Sequence, residues 1–240
     1  MSKTFMTIDK KESLSVSNRT ILNAQVLSDT AKNASMNNNF GVATSLMILS
    51  TEEIIKAQVL FFLGIGIHIH KIKNANKIFS SHKEKHQFAS LLQFTKIIEG
   101  FIDAGNYESD KKIYQTGSKI MNNILEGLQG FKNLLQPITL ISRSIEQMKE
   151  NIEWLEKAND LKNLGFYVDY KDEIKLPQSI SSEAYNKALL VNKECFNLYR
   201  IIKLTYEKIT DSESKIILIK SINNELLPQI EWYLKPKVEC

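Results

Sequence analysis

The sequence is poor in the residues that staple, kink or span. It has two cysteines, Cys195 and Cys240. They stand in no Cys-x-x-Cys or other metal-ligand spacing, which excludes a disulfide framework and reads as free thiols in a reducing cytosol. Proline is confined to Pro137, Pro177, Pro228 and Pro236, and the first 136 residues contain none. Because proline breaks helix interiors, the first half is free to form long helices. Long apolar runs are missing too. The most apolar stretch, Ala57 to Ile67, is broken by Gln58, Gly64 and Gly66 and falls well short of the ~20 residues a membrane span needs. The first residues, MSKTFMTIDKKESLS, are polar and hold no apolar signal core. A cytoplasmic protein with no membrane partner is expected. No Asn-Gly or Asp-Gly turn separates alternating segments, so hairpin signals are lacking. There is no P-loop, no Gly-x-Gly-x-x-Gly and no nucleophile-elbow serine. A strong charge of one sign is also absent: the net charge is +4, which permits contact with nucleic acid without the basic stripe of a dedicated binder.

What is present is ordinary globular composition, 43% hydrophobic and 24% charged over 240 residues. A chain of this length buries ~70% of its unfolded surface and needs no metal or disulfide to fold. Helical periodicity dominates. The expectation is an all-α fold: a loose tail over 1–14, then a single helical domain over 15–240. That domain divides into a core of about 17–164, an extended connection over 165–182 and further C-terminal helices over 183–234. Ser17 or Asn18 suits the first cap, and the first helix fades in the polar run 36–39. In the second helix, Ala43, Leu46, Ser50, Glu53, Ala57, Leu60 and Gly64 fall at alternating three- and four-residue steps, one helix face. Val42, Met47, Ile54, Val59 and Phe62 make other faces apolar as well, which marks a central, buried helix. Further helices are expected from about Ser81, through Ile113 to Leu135, and from Pro137 to about Leu164.

Two places could carry chemistry. On the face just described, Ser50 and Glu53 stand where apolar residues belong, and a buried carboxylate must be paired or used. Lys56 can reach Glu53 along the helix, and Glu52 and Lys56 have the favourable i,i+4 order. The competing reading is a surface ion pair with a half-exposed Glu53. The second place is Ser80 to His86. If the segment is helical, His82, Lys85 and His86 share one face. Between Lys71 and Lys85 stand five lysines and one glutamate. A histidine beside lysines suits RNA cleavage without metal: the imidazole removes the ribose 2′-proton and the cations steady the charge growing on the phosphate. A solvated basic helix start is the alternative. His82 and His86 are also spaced as a zinc pair, but no third ligand accompanies them. A di-iron bundle needs Glu-x-x-His, which the sequence does not contain. No cofactor is expected. His68 and His70 diverge in a helix and read as a helix end.

Ser50-Thr-Glu-Glu-Ile-Ile-Lys56, following Ala43-Thr-Ser-Leu-Met-Ile-Leu, resembles the signature of the AbiV family of abortive-infection proteins, in which a small-residue helix leads into Ser-x-Glu-Glu-x-x-Lys. His82 with Lys85 is similar to the family's next motif, and Gly165-Phe-Tyr-Val-Asp-Tyr170 with Pro177 to the one after it. The resemblance covers about residues 20–190. It implies a HEPN-type helical bundle, many relatives of which are ribonucleases acting as dimers. It further implies a site of Glu53, Lys56, His82 and Lys85, with Ser50, Glu52, Lys77, His86, Tyr167 and Asp169 supporting it or contacting RNA. A homodimer, an RNA substrate and a phage protein as trigger are the implied partners. The chain departs from the usual HEPN nuclease signature, arginine followed four to six residues later by histidine. Its arginines are Arg19, Arg143 and Arg200, and none precedes a histidine at that spacing. Lys77, five positions before His82, supplies a charge but not the planar guanidinium fork. A non-enzymatic interaction protein of the same fold therefore stands beside the nuclease.

Overall fold

The computed structural model describes residues 7–71, 154, 157–170 and 173–227. These residues form an all-α protein with one minimal hairpin. Helix α1 runs Lys10–Met36 and α2 runs Phe40–Ile65. A 3-10 turn at Ile69–Lys71 follows α2. Residues 157–166 form α3. Strands β1 (Asp169–Tyr170) and β2 (Ile174–Lys175) pair antiparallel, with Asp169 opposite Lys175 and Tyr170 opposite Ile174. A 3-10 turn at Pro177–Ser179 leads into α4 (Ser182–Lys208), then α5 (Ser212–Ser221), which ends in a π turn at Ile222–Leu226. The expected helices from Ser81 and through Ile113, the first part of the one from Pro137, and the chain beyond Leu227 lie outside the described residues.

The helix hairpin α1–α2 is built on small residues at sevenfold spacing. Ser17, Ala24 and Ala31 recur in α1, and Ala43, Ser50, Ala57 and Gly64 in α2. A strict seven-residue repeat keeps one seam facing its partner. Small side chains there let the two backbones approach closely. The hydroxyls then bond across the seam: Ser13 Oγ donates to Leu60 O at 2.8 Å, Ser17 Oγ to Ala57 O at 2.6 Å and Ser50 Oγ to Ala24 O at 2.7 Å. Gly64 suits this crossing, because a Cβ would meet Leu14 Cγ at 2.5 Å and force that side chain to move.

This seam corrects two expectations. The first helix starts at Lys10, capped by Asp9, whose carboxylate accepts from Glu12 N at 2.8 Å. Residues 10–14 are therefore helix, not tail, and Ser17 is a buried core hydroxyl, not a cap. The face of α2 turned to its neighbours is 43, 47, 50, 54, 57, 61 and 64. Met47, Ile54 and Phe61 are buried, whereas Leu46 and Glu53 are half-buried. The small residues are shared with the expected face, but the three- and four-residue steps alternate in the other order.

Helix α2 is the centre of the bundle. Its Ile54, Ile55, Val59 and Phe61 pack with Val191, Leu198 and Tyr199 of α4 in the main core, and Ala43 and Met47 meet Ala31, Tyr185 and Ala188 in a second cluster. Trp154 bridges both. Burying side chains of this size stabilises by about 1.5–3 kcal/mol each before entropy is counted. Helix α4 follows a capping serine, Ser181, whose Oγ accepts from Ala184 N. The connection 165–182, expected to be irregular or extended, contains the β1–β2 hairpin and the Pro177 turn.

Candidate functional site

The segment Ser50 to Lys56 sends its polar residues to three different places. Ser50 is fully buried against α1 and accepts from Asn192 Nδ2 of α4 at 2.9 Å. The same amide reaches Thr51 Oγ1 at 3.1 Å and Met47 O at 3.4 Å, and its Oδ1 takes a 3.4 Å bond from Ser28 Oγ. Glu52 points to α3, where its carboxylate meets Lys162 Nζ at 3.1 Å. The two side chains are 4% and 7% exposed, so the pair is enclosed. Such a pair persists because each charge is matched inside a low dielectric. Ser45 Oγ donates to Lys162 O at 2.7 Å and fixes α3 over the start of α2.

Glu53 and Lys56 pair with each other instead, beside Asn23 of α1. Their ion pair is about one-fifth exposed on each side, and Asn23 Nδ2 of α1 donates to the other Glu53 oxygen at 3.3 Å. The carboxylate is thus held by two partners, and Lys56 is held beside it. These are the water-accessible charges of α2, a helix whose third charged residue, Glu52, is buried. Chemically, the pair offers a positioned ammonium for a phosphate oxygen and a carboxylate that can orient a neighbouring donor.

Of the residues expected to share a site, the structure brings Glu53 and Lys56 together and takes Ser50 and Glu52 away from them into the packed interior. Glu52 is the buried carboxylate, and Glu53, expected on the apolar seam, is the accessible one. Tyr167 lies at the far end of α3, 69% exposed, and Asp169 begins strand β1. Lys77, His82, Lys85 and His86 lie outside the described residues.

Two residues of the internal network escaped the sequence reading, Lys162 and Asn192. A signal for Asn192 existed. Tyr185, Ala188, Asn192, Cys195 and Tyr199 follow the three- and four-residue steps of a core face, with one amide in the middle. Lys162 had none, because a lysine among the polar residues at the end of the helix expected from Pro137 reads as solvated. Cys195 is buried and in no disulfide.

At the C-terminal end of α2, Gly66 adopts a left-handed φ of 97°. Asn223 clamps this end: its Nδ2 donates to Gly66 O at 3.0 Å and its Oδ1 accepts from His68 N at 2.7 Å. The His68 and His70 rings, expected to diverge, lie 5.4 Å apart, since His68 precedes the 3-10 turn and is not in a helix. Burial, then Lys71 and His70, holds the His68 pKa below its ordinary value. Burial also raises that of Tyr199, against the hydrogen bond shared with Ser17, which lowers it. Among the described residues no group of three or more His, Cys, Asp or Glu side chains could hold a metal ion, and no helix is long and apolar enough to cross a membrane.

A protein-family model described as AbiV, of the HEPN type, matches residues 12–197. No curated protein and no solved structure matches the chain. The matched span runs from the first turns of α1 into α4 and so takes in the seam, the Glu52–Lys162 pair, Asn192 and the accessible Glu53–Lys56 pair.

Proposed function

The chain belongs to the AbiV family of HEPN abortive-infection proteins, and on that premise we propose that it is an effector which arrests growth or translation in infected bacteria by cutting RNA without a metal ion. The observation that carries this reading is the Glu53–Lys56 pair, the water-accessible charge on an otherwise packed central helix. Lys56 is the first phosphate contact, and Glu53 holds it in place. His82 acts as general base on the ribose 2′-hydroxyl, with Lys85 as the second cation. Attack by that oxygen on the adjacent phosphorus expels the 5′-oxygen and leaves a cyclic phosphate. Lys77 and His86 extend the positive surface, and Tyr167 and Asp169 support the bound strand. Ser50 and Glu52 contribute through packing, since neither reaches solvent. Two copies acting as a homodimer would concentrate these cations in one groove, which the net charge of a single chain does not provide. A phage protein is the expected trigger, and the expected setting is the cytoplasm.

The experiment is induction in a phage-free host, with the intact chain compared against H82A and K56A for toxicity and RNA integrity. RNA damage that needs both residues, survives a chelator and leaves cyclic phosphate ends supports the enzyme. Equal toxicity of all three with intact RNA refutes it. That second outcome would favour a non-enzymatic protein of the same fold that blocks the translation machinery or binds a phage protein. The missing arginine of the usual nuclease signature keeps this reading in view.

A further inference from the structure

An open groove of about 740 Å³ runs between α1 and α4. It lies on the flank of α1 away from Asn23 and the Glu53–Lys56 pair, since Asn23 and Gln25 diverge by about 200° around the helix. Its apolar part is aliphatic at the edges: Leu22 is 66% exposed and Leu204 is 47% exposed, with Ile21 and Phe196 between them. Its walls carry Lys32, Lys193, Arg200 and Lys203 against one carboxylate, Glu207. Lys32 is engaged by Asp29 at 2.8 Å, and Lys203 donates to Asn18 at 3.0 Å. Lys193 and Arg200, both exposed, have no ion-pair partner among the described residues. The groove follows α1 from Ile21 to Lys32, roughly three helical turns, the length over which a docked helix places anchors at i, i+3, i+4 and i+7.

We propose that this groove binds an amphipathic helix of a different protein, one whose apolar stripe is flanked by Asp or Glu. The apolar floor calls for aliphatic anchors, and Lys193 and Arg200 call for carboxylates beside them. A second copy docking face to face would set Lys193 and Arg200 against their own counterparts, which like charges disfavour. Single-stranded RNA would find cations but only the partly buried ring of Phe196 to stack on, because Tyr199 is 5% exposed and the well-exposed apolar groups are leucines. The proposal does not depend on RNA cleavage, which is placed on the other flank of α1.

The test uses the full chain and three synthetic helical peptides of about four turns. One carries a leucine stripe flanked by glutamates, one the same stripe flanked by lysines, and one the glutamates with the leucines replaced by alanine. Binding is read by fluorescence anisotropy at two salt concentrations. The Glu/Leu peptide is expected to bind most tightly and to weaken with salt. The K193E/R200E variant is expected to lose about tenfold of that affinity and to gain affinity for the Lys/Leu peptide. L22D, checked by circular dichroism for unchanged helix content, is expected to weaken the Glu/Leu peptide without creating affinity for the other. Equal binding of the Glu/Leu and Lys/Leu peptides overturns the proposal. So does equal binding of the leucine-free peptide, or affinity unchanged in K193E/R200E. An oligouridine that binds the groove more tightly than the Glu/Leu peptide, and loses binding in K193E/R200E, would assign the surface to RNA instead.

Discussion

At the scale of single residues, adjacent glutamates on one helix have opposite roles. Glu52→Gln leaves Lys162 buried beside a neutral amide, and breaking an enclosed pair of this kind costs about 3 kcal/mol. A lower urea midpoint is the expected readout. Glu53→Gln removes a partly exposed pair and is expected to change stability by less than about 1 kcal/mol. Loss of phage protection in a fully folded Glu53→Gln protein would then report function, whereas unchanged protection would reduce Glu53–Lys56 to a surface ion pair. The motif itself was legible in the sequence. Its orientation was not, because α2 is apolar on several sides and two stripes can be drawn through the same Ala43, Ser50, Ala57 and Gly64. Which stripe is buried depends on whether Met47 and Ile54 or Leu46 and Glu53 meet the neighbours, and only packing decides that. His68 gives a pH prediction. Its folded pKa lies below the ordinary 6.5, so folding favours the neutral ring. The stability this contributes is present above the unfolded pKa and is lost as pH falls through the lowered folded value. A proton NMR titration should place His68 below 6.5, and His68→Asn should narrow the difference in melting temperature between pH 7 and pH 5. A His68 midpoint above the ordinary value would refute the burial argument.

At the scale of elements, the close crossings depend on glycine. Gly165 of α3 faces Ser45 Oγ and the carbonyl of Gly41, and a Cβ there would overlap both. Two of the atoms it would meet are backbone and cannot rotate away, so Gly165→Ala is expected to destabilise by about 2 kcal/mol through overpacking. Because Ser45 also holds Lys162 O, the substitution should loosen the end of α3, seen as faster hydrogen exchange at 160–166 than in the intact chain. Gly66→Ala, at a left-handed helix end, is expected to cost about 1 kcal/mol from backbone strain. A melting temperature unchanged in Gly165→Ala would show that α3 can shift without loss. The long helices were readable because proline is absent and apolar spacing is regular. The start of α1 was misplaced because serine serves both as a cap and as a small seam residue, and Ser17 is the latter. The β1–β2 hairpin was not readable, since two-residue strands carry no alternation to detect.

At the scale of the whole molecule, α4 is as central to the core as α1: Val191, Leu198 and Tyr199 close over α2, and Asn192 joins both to Ser28. A core helix and a later extension read alike along the chain, because such membership is set by contacts between residues distant in sequence. One surface feature bears on the proposed homodimer. The arm from α3 through the hairpin exposes Tyr167 at 69%, Val168 at 63%, Tyr170 at 73% and Ile174 at 64%. Exposed apolar groups gathered this way on one element usually mark an interaction surface, and the charges among them, Asp169, Lys171, Asp172, Glu173 and Lys175, are of both signs, so two copies could pair them. The chain is expected to run as a dimer in light scattering at micromolar concentration. Replacing Tyr170 and Ile174 together by aspartate should weaken that dimer at least ~tenfold, since truncating or charging the anchors of an interface removes most of its affinity. Neither side chain is buried within the chain, so helix content by circular dichroism should not change. A monomeric intact protein with full phage protection would end the two-copy reading of the active groove. A dimer indifferent to the double substitution would place the interface away from the arm. Dimer and RNA damage lost together, with the fold retained, would tie cleavage to assembly.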